Sequence, residues 1–125
     1  MSSDERREHP RLVLSVEDGY FGNFKLPNQE NLIAPILNIS AGGLKMVVAN
    51  DARMKIKDGD VLMLQNIAGG TRLAFLSDIK AEIRWIKDES GKIHVGCQFG
   101  DLAEGVLLQL KKFVATERMA RGQYD

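Results

Sequence analysis

A succession of short apolar runs, each closed by glycine, proline, asparagine or aspartate, constrains this chain more than any other feature. Leu12, Leu14 and Val16 alternate with Val13 and Ser15, the period-two pattern of a half-buried strand. Glu17-Asp18-Gly19 turns the chain into Tyr20–Leu26, and Pro27-Asn28 ends that run. Leu32–Ile39 predicts a third strand, in which Pro35 requires an edge position or a bulge. After Ser40-Ala41-Gly42-Gly43 come Leu44–Ala49, then Val61–Ile67 behind the turn Asp58-Gly59-Asp60. Leu73–Phe75, the alternating set Ile79, Ala81, Ile83 and Trp85, and Ile93–Phe99 complete the series. Short strands at this spacing pack as a sandwich or a barrel.

The chain closes with a different period. Val106, Leu107, Leu110, Phe113 and Val114 recur at helical spacing and predict a helix over about 101–119, one apolar stripe of which flanks or plugs the β core. Asp101 is its expected cap, with Glu104 as capping-box partner. Met119 to Asp125 is expected to fray. At the other end, residues 1–11 lack hydrophobic periodicity and form an expected flexible arm, beyond which residues 12–125 make a single domain.

Composition excludes several classes. Of 125 residues 44% are hydrophobic and 27% charged, enough for a core without disulfides or metal. Seventeen basic residues balance seventeen acidic ones, so no overall field draws the chain to nucleic acid or an anionic membrane. Eight aromatic residues without a basic groove argue equally against an RNA- or DNA-binding barrel. The lone Cys97 sits in an apolar run and is expected to be buried and inert. His9 and His94 have no ligands at metal spacing, and no nucleophile–base pair is apparent, so a non-catalytic protein is expected. Gly69-Gly70-Thr71 lacks the lysine of a phosphate-binding P-loop. Trp85 is expected in the core or at a barrel mouth, with base stacking the alternative. A polar leader and the absence of a long apolar stretch make the cytoplasm the expected location.

Two segments about 30 residues apart carry chemistry. Arg6-Arg7-Glu8-His9-Pro10-Arg11 puts three guanidinium groups on a polar arm, and Asn38-Ile39-Ser40-Ala41-Gly42-Gly43 offers an amide, a hydroxyl and glycine backbone between strands. Guanidinium forks match phosphate oxygens and the O6/N7 edge of guanine. Together the segments constitute a split site for an anionic guanine nucleotide.

This pair also resembles a known family. Arg7-x-x-x-Arg11 fits the RxxxR element of PilZ domains, and Asn38-x-Ser40-x-x-Gly43 fits their [D/N]xSxxG element. The resemblance runs from about Glu5 to Met119. It implies a small antiparallel six-stranded β-barrel with a terminal helix, binding the second messenger cyclic di-GMP without any cofactor. By the same resemblance Arg7 and Arg11 grip phosphate and guanine, Ser40 bonds base or phosphate, and Gly42 and Gly43 turn sharply, with positive φ, so that a flat ligand can approach. Asn38 stands where aspartate is commoner, exchanging one acceptor for a donor. An arginine at the position of Arg6 accompanies binding of two mutually stacked ligands. The expected protein is a regulatory adaptor, monomeric or a weak dimer, whose arm clamps over the ligand and whose signal passes to an effector of motility, pilus or polysaccharide machinery. A degenerate PilZ-like interaction module is the alternative, but such modules typically lose the arginines that this chain keeps.

Overall fold

A computed structural model describes residues 9–124. Its strands are β1 (Leu12–Val13), β2 (Phe21–Lys25), β3 (Asn31–Ser40), β4 (Gly43–Val48), β5 (Val61–Ala68), β6 (Ile79–Glu89) and β7 (Lys92–Phe99), followed by helix α1 (Glu104–Ala120). All pairings are antiparallel, and β2–β3–β4–β7–β6–β5 closes on itself as a six-stranded barrel, with β1 added beside β3. The barrel form of the expected fold is therefore correct.

Alternation explains the core. Phe24, Ile36, Met46, Leu62, Leu64, Ile83 and Val95 are fully buried, each from a strand whose intervening residues face outward. Leu110, Phe113 and Val114 bury the stripe of α1, which rests against β1 and β3, and Tyr20 meets Phe113 edge to face at 6.3 Å. Edge-to-face pairs add about 0.5–1.5 kcal/mol beyond area burial.

Four local expectations need correction. The first strand stops at Val13, and Val16–Asp18 winds into one 3-10 turn because Asp18 Oδ2 accepts from the Ser15 N–H at 2.8 Å. Leu73–Phe75 is a turn, not a strand: the Ala74 N–H donates to Thr71 O and the Leu76 N–H to Leu73 O, while Leu73 and Leu76 still reach the core. Asp101 does not cap α1. The Gly100 N–H donates to Lys80 O and prolongs the sheet, so the helix starts later, from Ala103. Residues beyond Met119 do not fray within the described part. Gly122, at φ 69°, and Gln123 donate to Met119 O and Arg118 O, the two bonds of a Schellman cap.

Two bulges matter more than any of these. Between Ile36 and Asn38 the β3–β4 register shifts, and between Ile83 and Trp85 the β6–β7 register shifts. An extra residue on one strand exchanges the faces of everything after it. Before the first bulge Leu32, Ala34 and Ile36 point inward; after it Ile39 does, and Asn38 and Ser40 belong to the outer face. Before the second, Ile79, Ala81 and Ile83 point inward; after it Trp85 is outside, contrary to the single alternating face expected for all four. Pro35 lies two residues before the unpaired Leu37 of the first bulge, and β3 is not an edge strand.

Candidate ligand site on the outer barrel face

The register lays a row of Cα partners across five strands: Val13 opposite Asn38, Asn38 opposite Lys45, Lys45 opposite Gly96, and Gly96 opposite Trp85. A second row joins Ser40 to Gly43 and Gly43 to Gln98. From Asn38 onward these rows floor an open cavity of about 570 Å³, which His9 and Arg11 also line from the N-terminal side. Arg84, Trp85 and Lys87 come from beyond the second bulge.

Glycine shapes this floor, by steric need rather than by φ. Neither Gly42 nor Gly43 adopts the positive φ expected of them. A Cβ on Gly43 would lie 2.0 Å from the backbone oxygen of Cys97, so close packing of the hairpin on β7 demands glycine there. A Cβ on Gly42 would meet His9 Cδ2 at 2.9 Å, so the imidazole rests on the turn. Ser40, 8% exposed, accepts the Gly42 N–H through Oγ at 3.1 Å, and the Phe99 N–H ties Gly42 O to β7 at 2.9 Å. At Gly96 a Cβ would sit 2.1 Å from the indole of Trp85, whose ring covers that glycine and stays 38% exposed.

Among the described residues, four cations, Arg11, Lys45, Arg84 and Lys87, line the cavity against one carboxylate, Glu89. In a chain of zero net charge that excess makes a local anion site. Arg84 contacts Glu82 at 3.7 Å with both side chains about half exposed, a weak pair that leaves the guanidinium available. Burial pushes the Cys97 thiol up to about 12, in keeping with the inert thiol expected from its apolar run.

Of the residues expected at the site, Arg11, Asn38, Ser40, Gly42 and Gly43 line this one cavity. Arg6 and Arg7 lie outside the described residues. Lys45, Arg84, Lys87 and Gln98 were not singled out as site residues, and Trp85 was expected to stack only as the alternative to a core or barrel-mouth place; all except Lys45 sit on β6 or β7, remote in sequence from both motifs. The sequence signal for Trp85 was its pairing with a glycine, invisible until the bulged register is known.

A small antiparallel barrel with a cationic, tryptophan-floored cavity on its outer face is the class that fold and site define. The PilZ domain family model matches residues 5–116, and the chain belongs to that family. The PilZ domain of YcgR from Escherichia coli, solved with c-di-GMP, superimposes with a TM-score of 0.75 at 19% identity, covering 94% of this chain and 96% of that one. The MrkH–c-di-GMP complex of K. pneumonia gives 0.69 at 19% identity, over 94% of this chain and 55% of that one. The Bacillus subtilis inhibitor of motility MotI/DgrA gives 0.67 at 20% identity, over 93% and 52%. This chain thus spans about half the length of the latter two proteins, and all three likenesses bear on fold alone. A search of curated proteins finds no match. Among the described residues, no helix is long and apolar enough to cross a membrane.

Proposed function

We propose that this chain is a cyclic di-GMP receptor acting as a regulatory adaptor. The observation that carries the reading is convergence: Arg11, Asn38, Ser40, Gly42 and Gly43, drawn from two motifs about 30 residues apart, line one cavity together with Trp85 and three further cations. A cyclic dinucleotide bears two phosphate charges and two planar bases. It is therefore matched by guanidinium forks, a stacking surface and polar base-edge partners. Arg11 and the arm-borne Arg7 would grip phosphate and guanine, Asn38 and Ser40 would meet base edge or phosphate, and Trp85 would stack. Lys45, Arg84 and Lys87 would neutralise the remaining charge.

Arg7 precedes His9 by two residues, at most about 7 Å of chain, so it is within reach of the cavity. A micromolar complex needs about 8 kcal/mol net, and each good bidentate contact contributes about 1–3 kcal/mol of discrimination. Ordering an arm costs about 1–2 kcal/mol per residue, which requires a ligand making many contacts at once. In this reading residues 1–11 close over the ligand, Arg6 admits a second stacked molecule, and the changed surface signals to an effector protein.

Titration calorimetry with cyclic di-GMP tests the reading, with GTP and cyclic di-AMP as controls. Micromolar or tighter binding of cyclic di-GMP alone is the expected result. Absence of heat with all three nucleotides would end it, and a stoichiometry of one per chain would remove the stacked pair.

A further inference from the structure

Just outside the cavity, the last turn of the chain grips the first strand in an unusual way. The Gln123 carboxamide takes both peptide groups of Val13: the Val13 N–H donates to Oε1 at 2.8 Å, and Nε2 donates to Val13 O at 2.9 Å. A carboxamide presents the same acceptor and donor as a peptide, so Gln123 stands in for a residue of a neighbouring strand along the outer edge of β1. The Schellman cap at Gly122 aims it there. Arg121 adds a second anchor, with Nη1 2.9 Å from Asp18 Oδ1, while the other oxygen of Asp18 holds Ser15 N–H.

Val13 is also the first member of the row that continues through Asn38, Lys45 and Gly96 to Trp85. Arg11 lies two residues before it in the chain. The same short strand is thus held by the cavity residues on one side and by the C-terminal tail on the other. We propose that residues 118–123 form a latch on β1 whose closure and occupancy of the cavity favour each other, so that the tail of α1 reports the liganded state. A ligand gripping Arg11 and Asn38 fixes β1 against β3 and lowers the entropy cost of seating Gln123; a seated Gln123 in turn holds β1 ready for ligand. Coupling between two sites is reciprocal, so each half is measurable from the other. Gln123 is a positioning residue here and touches no ligand.

This inference rests on the nucleotide reading, and the test separates the two. Amide hydrogen exchange on the native chain, with and without saturating cyclic di-GMP, should show Val13, Gly122 and Gln123 protected about fivefold more when the nucleotide is present. Calorimetry on Gln123→Ala and on Gln123→Glu, which keeps the length but replaces the donor to Val13 O with a repelling oxygen, should show cyclic di-GMP affinity reduced by the same factor of about five. Native-like circular dichroism of both variants excludes global unfolding as the cause. If the native chain binds cyclic di-GMP while tail exchange and variant affinities stay unchanged, the latch is refuted and the receptor stands. If the native chain does not bind the nucleotide, both fall together.

Discussion

The indole of Trp85 lies over Gly96, its partner across the β6–β7 ladder, so closely that even a methyl group on the glycine would overlap the ring. One residue supplies an aromatic plane and the other supplies the absence of a side chain that lets the plane lie down. Gly96→Ala should therefore displace the indole and lose its stacking. Since Trp85 is the only tryptophan, its emission should shift to the red in the variant. Cyclic di-GMP affinity should fall about 5- to 150-fold, in line with about 1–3 kcal/mol per stacked base. Unchanged emission in the variant would show that the ring does not depend on that gap.

At Gly43 the obstacle is backbone, which cannot swing aside as a side chain can. Gly43→Ala should destabilise the barrel by about 3 kcal/mol, the upper end of the usual overpacking cost, and lower the melting temperature by roughly 10 °C. Gly105→Ala, which meets nothing within 4 Å and sits in the first turn of α1, should instead raise stability by up to about 1 kcal/mol. Thermal denaturation of the two variants compares a glycine required by contact with one that is not.

Charge at the cavity should act on affinity and little on stability. Arg11→Ala is expected to weaken cyclic di-GMP binding about 10- to 100-fold, the value of a lost bidentate contact, with the melting temperature nearly unchanged. Lys45→Ala and Lys87→Ala should cost less and should flatten the salt dependence of binding, because a lysine offers a point charge that is screened over about 10 Å at 0.1 M salt. A melting temperature that collapses in Arg11→Ala would make that arginine structural instead.

The second bulge can be tested by contrasting substitution with deletion. Arg84→Ala keeps the residue count of β6, so the fold and the outward Trp85 should survive with weaker binding. Deleting Arg84 removes the extra residue and makes Trp85 follow Ile83 directly, so plain alternation keeps Ile83 inward opposite Cys97 and Trp85 outward opposite Gly96. Both variants should therefore keep the barrel and lose a similar share of cyclic di-GMP affinity, that of the missing guanidinium. A deletion variant that fails to fold, or that binds far more weakly than Arg84→Ala, would show that the extra residue itself shapes the cavity.

Stability should also fall on the acid side. The Asp18 carboxyl is held below its ordinary range, chiefly by the Ser15 N–H and then by Arg121. That of Glu117 is lowered chiefly by its hydrogen bond with Arg72 and also by Arg121. A carboxyl whose folded pKa is depressed stabilises the fold above its unfolded pKa and loses that contribution as pH falls through the folded one. The melting temperature should thus be level above about pH 5 and decline below about pH 4, and Asp18→Asn with Glu117→Gln should blunt the decline. A double variant with the native acid profile would locate the sensitivity elsewhere.

The period-two runs, their glycine turns and the helical stripe determined by themselves that the chain would be a small β-rich domain closed by a helix, because alternation and 3.6-residue spacing are local properties. The spacing of Arg7, Arg11, Asn38, Ser40 and Gly43 likewise marked both halves of the candidate site. Tertiary structure alone decided which face those residues occupy. The bulges after Ile36 and Ile83 each add one residue against a partner strand, and only the pairing with β4 and β7 shows where the count slips. It also decided that Leu73 and Leu76 enter the core from a turn, and that Gln123 closes on Val13, 110 residues away. Contacts between strands and tail depend on where distant backbone runs, and no local pattern of residue types encodes that position.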